Sequence, residues 1–330
     1  MGITELYKGM ELSTQILIKE AINRKIDVKI LDVKQNFISL KKGKKVEYVK
    51  QATKTSVDTY ISTLIMENKE VTKIILSEHG INVPNGISVY SVKEAIEKWD
   101  DIKNNSIVIK PKSTNFGMGV VILENIKSCD YFKDAIKKAF RYDDTVLIEE
   151  YVPGKEYRFL VIGSEVVAIL MRIPANVKGD GMHTIEQLVV EKNKDPLRGK
   201  GYVTPLEKIN MGEIEIDYLK LQGKSLDYIP ELGEIIYLRE NSNISTGGDS
   251  IDYTDEIIEE YKRISINAVE AVGAKICGVD MIIRDVSETP NCGNHSIIEL
   301  NFNPALHIHN FPYHGKNRHA EKKVLDLLGF

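Results

Sequence analysis

Three polar side chains near the end of the chain alternate with apolar ones. They are Glu299, Asn301 and Asn303, within Ile297-Ile298-Glu299-Leu300-Asn301-Phe302-Asn303. In an extended strand successive side chains point to opposite faces. These three would share one face, and Ile298, Leu300 and Phe302 the other. A second apolar segment, Gly278-Val279-Asp280-Met281-Ile282, carries a single carboxylate. Such groups are costly to bury without a partner. They are hard oxygen donors of the kind magnesium takes, with phosphate oxygens and water completing its shell. Asp280 and Glu299 would supply the carboxylates and Asn301 a neutral oxygen. Glu299 bridging two ions would suit phosphoryl transfer. A solvated polar strand face would produce the same alternation, and these two segments alone do not choose between the readings.

Upstream, Ser113-Thr114-Asn115-Phe116-Gly117-Met118-Gly119 lies between two apolar runs. Backbone N–H groups in such a loop can wrap phosphate oxygens, because glycine allows close approach. No Gly-Lys-Ser/Thr follows, and the loop opens no helix, so it is neither a P-loop nor a dinucleotide fingerprint. Lys110 ends the strand before it, and Lys69 opens an earlier helix. Either could be a point charge on phosphate. The commoner fate of a lysine is to lie along the surface with its ammonium in water. Leu147-Ile148-Glu149-Glu150-Tyr151-Val152-Pro153-Gly154-Lys155-Glu156 runs from a strand into a turn. Its backbone could meet an adenine edge, and Glu156 could hold ribose hydroxyls. Arg239-Glu240-Asn241 opens a loop containing Gly247-Gly248. A fixed guanidinium there could bind a carboxylate or acyl phosphate in a bidentate manner, or form an ordinary surface ion pair.

The elements that must position these groups are legible as periodicity. Leu17/Ala21 and Ile18/Ile22 pair at helical spacing after Ser13, a suitable cap, and Val28 to Leu31 follow as a strand. A helix from Lys69 stops at Gly80. Ser91 and Glu94 form a capping box, and Ile107–Pro111 with Val120–Leu123 read as a hairpin. Further helices are expected at 128–140, 184–192 and from Thr254 to Gly273. Strands are expected at 146–148, 157–162, 166–172, 276–284 and 297–302. Helices and strands mix throughout, so the class is α+β or α/β.

Length and composition bound the rest. At 330 residues the chain exceeds the size at which one core stops growing, so two or three lobes are expected. Hydrophobic residues make up 42% and charged residues 28%, with a net charge of −4, as in a globular protein without a basic nucleic-acid face. Lys41, Lys42, Lys44 and Lys45 surround Gly43 and read as a solvated hairpin turn. Cys129, Cys277 and Cys292 have no metal or disulfide spacing. With no signal-peptide core and no membrane-length apolar run, a cytoplasmic protein is expected.

Lys69, Lys110, the loop 113–119, Glu149 to Glu156, and Asp280/Glu299/Asn301 occur in the order and rough spacing of the ATP-grasp superfamily, which the chain resembles. It looks especially like the ATP-grasp synthetase module of bacterial bifunctional glutathione synthetases. The segments 11–21, 49–56, 110–117, 174–181, 239–253 and 298–308 carry the likeness. A more distant similarity is to the ATP-grasp part of cyanophycin synthetase. The resemblance implies an α+β ATP-grasp fold. Its parts would be an N-terminal substrate-side segment (1–66), a small lobe with the Gly loop (67–152) and a C-terminal lobe with the metal and substrate site (153–330). It implies ATP contacts from Lys69, Lys110, Ser113, Phe116, Gly117, Glu149, Glu150, Val152 and Glu156. Magnesium or manganese, as two ions, would sit on Asp280, Glu299 and Asn301. Arg239, Asn241, Gly247, Gly248 and Asn303 would face the substrates, with Arg239, Asn241 and Lys110 acting in catalysis.

The activity implied is ligation of γ-glutamylcysteine to glycine through an acyl phosphate, with loops 113–119 and 241–250 closing over the site. A related peptide ligase and a non-catalytic nucleotide-binding protein are the competing expectations. A homodimer, and a γ-glutamylcysteine ligase fused to or partnered with this chain, are compatible. The fused enzymes need a large N-terminal module that 330 residues cannot also hold, so an excised module or a stand-alone relative is expected.

Overall fold

The computed structural model describes residues 7–113 and 119–330. Helix α1 (Leu12–Asn23) leads into an antiparallel meander of β1 (Asp27–Asp32), β2 (Phe37–Lys42) and β3 (Lys45–Lys50). Gly43, with φ of 61°, makes the β2–β3 turn, as the lysine-rich hairpin reading requires. Helices α2 (Tyr60–Glu67) and α3 (Lys69–Glu78) follow. Asn68 caps α3, its side chain accepting from the N–H of Glu70 and Val71.

A four-stranded antiparallel sheet comes next, built from β4 (Gly86–Val89), β5 (Ile107–Pro111), β6 (Val121–Leu123) and β7 (Val146–Glu150) in the order β4-β7-β5-β6. The helix Cys129–Ala139, capped by Ser128, packs on it through Phe132, Ile136 and Ala139. The larger sheet holds β8 (Lys155–Ile162), β9 (Glu165–Ile173), β14 (Asp249–Asp252), β15 (Ile276–Ile283) and β16 (His295–Asn301), in the order β14-β9-β8-β15-β16. Between β9 and β14, β10 (Asn176–Lys178) pairs with β13 (Ile235–Tyr237), and β11 (Arg198–Gly199) with β12 (Leu206–Glu207). The class is α+β.

One face of the large sheet (Tyr157, Phe159, Val161, Val279, Met281) is buried against Met66 and Leu76 of α2 and α3 and against the helix Glu259–Ala271. Part of the other face (Leu160, Ile162, Ala168) is covered by α1 and the helix Ala320–Leu327. What remains of that face carries the polar residues described below. Among the described residues no helix is long and apolar enough to cross a membrane.

Three local expectations change. Ser13 lies inside α1 rather than at its cap, and Glu11 occupies the cap position. The Ser13 hydroxyl accepts from the N–H of Leu306 and His307 and bonds His307 Nδ1 at 2.8 Å. The helix expected from Thr254 begins at Glu259. Thr254 Oγ1 instead accepts from the Ile169 N–H at 2.8 Å, and Arg318 holds Asp255. In the stretch 176–212 only the helix at 184–192 is expected from the sequence; Val177, Ile185 and Val189 instead join Leu219 and Ile236, further along the chain, in a separate small core.

Candidate functional site

Asp280 and Glu299 face each other across β15 and β16 as register partners, and a register shift follows at Met281. β16 ends at Asn301, so Asn303 lies beyond the strand and does not continue its alternation. Asn303 Oδ1 instead accepts from Thr53 Oγ1 at 3.0 Å, and its amide donates to Gln51 Oε1 at 3.3 Å. Asn301 Nδ2 donates to Asp280 Oδ2 at 3.2 Å, joining that carboxylate to the last strand.

Asp280 is 1% exposed and is held by two guanidiniums. Arg158, its register partner on β8, donates through Nε and, at 2.6 Å, through Nη2. Arg172 of β9 reaches the same carboxylate at 3.4 Å. Burial alone would raise the Asp280 pKa, but Arg158 and Arg172 outweigh it and hold the group below the usual carboxylate range. Arg172 also pairs with Glu156, which accepts from Ser242 Oγ. Glu299 is half-buried, and Lys69 Nζ at the start of α3 lies 3.5 Å from its Oε1.

The second cluster belongs to the smaller sheet. The Glu149 side chain turns inward and pairs with both Lys73 and Lys110, the latter at 2.8 Å. Burial would raise Glu149, but the two ammonium groups hold it below its ordinary value. Burial first, then Lys110, pushes Lys73 down to about 8. The Glu149 side chain is thus committed to the two lysines. Glu150 Oε1 accepts from the Asn85 N–H at 3.0 Å, and Val152 is half-buried in the connection to β8. Ser113 donates to Asp143 through both its N–H and its hydroxyl at 2.6 Å. Phe116 and Gly117 lie outside the described residues.

The third cluster is the 239–248 segment. Arg239 Nε donates to buried Glu215 at 2.6 Å, so it is no surface pair. Asn241 Oδ1 accepts from Thr246 Oγ1 at 3.1 Å, closing the turn on itself. Gly247 has φ of 95°, and a Cβ there would stand 2.7 Å from Ile209 Cα. At Gly248 a Cβ would stand 2.8 Å from the carbonyl oxygens of Asn243 and Ile173. Both glycines are required by close backbone approach.

The metal reading can be tested on this donor set. Two carboxylates and an amide from adjacent strands are of the right kind for a hard cation. Here Arg158, Arg172 and Lys69 supply the positive charge that the two carboxylates require. The donor types suit such an ion, and in this structure Arg158, Arg172 and Lys69 stand in its electrostatic role. Among the described residues no three His, Cys, Asp or Glu side chains cluster as a metal site. The cysteines are free, and burial pushes the Cys277 thiol up to about 12, which suits packing rather than nucleophilic work.

Sequence reasoning missed Arg158, Arg172 and Lys73. Arg158 and Lys73 carried a signal. Arg158 follows Glu156 by two on a strand, hence on the same face. Lys73 follows Lys69 by four on a helix.

Residues 8–61 match an ATP-grasp-like domain, and residues 67–179 the ATP-grasp (A) domain of phosphoribosylglycinamide synthetase. The glutathione biosynthesis bifunctional protein GshAB of Clostridium perfringens (strain 13 / Type A) is 61% identical over 98% of this chain and 41% of its own length. The crystal structure of a bifunctional glutathione synthetase from Pasteurella multocida matches with a TM-score of 0.75 and 47% identity, over 98% of this chain and 44% of that one. The chain belongs to the ATP-grasp family. The ATP-grasp fold is shared with D-alanine–D-alanine ligase from Bacillus anthracis, at a TM-score of 0.50 and 16% identity over 82% of this chain and 68% of that one. This ATP-grasp chain spans about two-fifths of the length of the curated relatives it matches.

Proposed function

We propose that this chain is a glutathione-synthetase module, joining γ-glutamylcysteine and glycine with ATP as the energy source. The observation that carries the reading is the 61% identity, over nearly the whole chain, to a relative named for glutathione biosynthesis. The site geometry supplies groups suited to each step.

In this reading Lys69 and Lys110 neutralise the phosphates, together with the backbone of the loop 113–119. The backbone around Glu149, Glu150 and Val152 lines the adenine, and Glu156 holds the ribose once it leaves Arg172. Asp280, Glu299 and Asn301 would hold magnesium or manganese, which when bound would offset negative charge on the transferring phosphoryl group. Arg158 and Arg172, already converging on Asp280, are placed to keep that carboxylate ionised. The γ-phosphoryl group moves from ATP to the carboxylate of γ-glutamylcysteine, and ADP leaves. The glycine amine then attacks the acyl carbon, phosphate leaves, and the amine loses a proton. Arg239, Asn241, Gly247, Gly248 and Asn303 shape the acceptor side. Closure of 241–250 excludes water, which would otherwise hydrolyse the acyl phosphate. The division at 66/67 and 152/153, a cytoplasmic location, a homodimer and a fused or separate γ-glutamylcysteine ligase belong to the same reading.

The test is phosphate release with ATP, magnesium and a panel of γ-glutamyl dipeptides and amino acids. Turnover is expected with γ-glutamylcysteine plus glycine. No turnover with that pair would reject the glutathione assignment. Turnover with another pair would identify a different peptide ligase of the family.

A further inference from the structure

Helix α3 sits between the two sheets and is tied to both. Lys69 reaches Glu299 on the large sheet at 3.5 Å. One turn later Lys73 pairs with Glu149 on β7 of the smaller sheet. Glu70 accepts from Ser88 Oγ at 3.0 Å and from Lys112 Nζ at 2.7 Å, so the helix is anchored on that side too.

Glu149 is therefore one buried carboxylate shared by two ammonium groups, Lys73 on a rigid helix and Lys110 at the end of β5. Side-chain exposures of 6%, 15% and 14% for Glu149, Lys73 and Lys110 put the trio largely out of water. If Lys110 turns to a phosphate oxygen, Glu149 loses a partner. A buried carboxylate left without a counter-ion is strongly unfavourable. A second cation already on the same carboxylate removes that obstacle.

We propose that Lys73 is a positioning residue: it is the resident counter-ion of Glu149 and thereby frees Lys110 to engage the nucleotide phosphates. This rests on the assignment of Lys110 to ATP made above. Lys73 touches no substrate in this scheme and acts through Glu149. Burial, then Lys110, lowers the Lys73 pKa to about 8, and Glu149 is the group that opposes the shift and keeps the ammonium charged.

The test uses the full chain and measures ATP affinity by calorimetry, alongside KM and kcat. Lys73→Met should weaken ATP binding about tenfold, because Glu149 then retains Lys110, while Lys73→Arg keeps most of the affinity. Removing the charge that traps Lys110 should rescue the defect. Lys73→Met combined with Glu149→Gln should bind ATP at least about threefold tighter than Lys73→Met alone. A folded Lys73→Met variant with parental affinity, or a double variant no better than Lys73→Met, overturns the proposal. Should Lys73→Met not fold, Glu149→Gln is compared with the double variant. Equal affinities are expected, and a loss of about tenfold on adding Lys73→Met would mean that Lys73 meets the nucleotide itself. Lys110→Met separates the premise: unchanged ATP affinity in that variant rejects the Lys110 assignment, whatever the Lys73 variants do.

Discussion

Glu299→Gln separates catalysis from stability more cleanly than any other change in the site. The side chain is 31% exposed, and its ion pair with Lys69 is long at 3.5 Å. Exposed or half-exposed pairs of this kind contribute at most about 1 kcal/mol. Gln preserves the shape and one oxygen, so unfolding should shift by no more than about 2–4 °C. As a ligand to the ion at the transferring phosphoryl group, the lost charge should cost at least about a hundredfold in kcat/KM, or about 2.7 kcal/mol. Asp280→Asn offers the contrast. Asp280 is buried under Arg158 and Arg172, and because Arg172 keeps Glu156, its loss leaves the buried Arg158 guanidinium uncompensated, at a cost of about 3–5 kcal/mol. The assay is phosphate release from ATP with γ-glutamylcysteine and glycine, run beside thermal unfolding of each variant. Glu299→Gln turnover within about threefold of the parent would refute the metal assignment, given the loss expected for a metal-bound carboxylate. A stability loss equal to that of Asp280→Asn would refute the division of roles between the two carboxylates.

Two buried histidines make the fold acid-sensitive. Burial holds His307 at about 4, and burial with nearby Arg158 holds His309 at about 3, against an ordinary value of 6.5. Between those values the unfolded chain binds the extra protons, so stability is complete above pH 6.5 and falls as pH drops toward 4. The gap at His307 corresponds to about 3 kcal/mol. The denaturant midpoint should fall between pH 7 and pH 5, and His307→Gln should flatten that profile; an unchanged profile in the variant would count against it. Gly247→Ala forces a Cβ against Ile209 Cα at positive φ and should lower stability by at least about 1 kcal/mol. Limited proteolysis should show cleavage at 241–250 at lower temperature, and parental resistance would contradict the strain. Arg239→Ala strands Glu215, which is 1% exposed, and should destabilise by about 3–5 kcal/mol. An unchanged unfolding midpoint with lost activity would assign Arg239 to substrate instead of to Glu215.

The sequence by itself determined most of the local structure. Gly43, Gly80, Asn68 and Ser128 punctuate elements through short-range preferences that need no tertiary partner. The period-two pattern placed Glu299 and Asn301 on one face, and the register of β15 with β16 put Asp280 there as well. It stopped working at Asn303, because a strand's end is set by what the next residues bond to, here Thr53 and Gln51 some 250 positions away. The same limit governs Ser13 and Thr254, whose local capping chemistry was outbid by distant backbone groups at His307 and Ile169.

What only the tertiary structure decided is which charges share a buried space. The sequence places Glu149 only at the end of a strand, and the fold turns its side chain inward onto Lys73 and Lys110. Arg158 and Arg172 lie in largely apolar strands, and strand pairing delivers both to Asp280. Local pattern encodes the face a side chain takes. The identity of its partner depends on sheet order, and sheet order is settled by the packing of elements far apart in the chain.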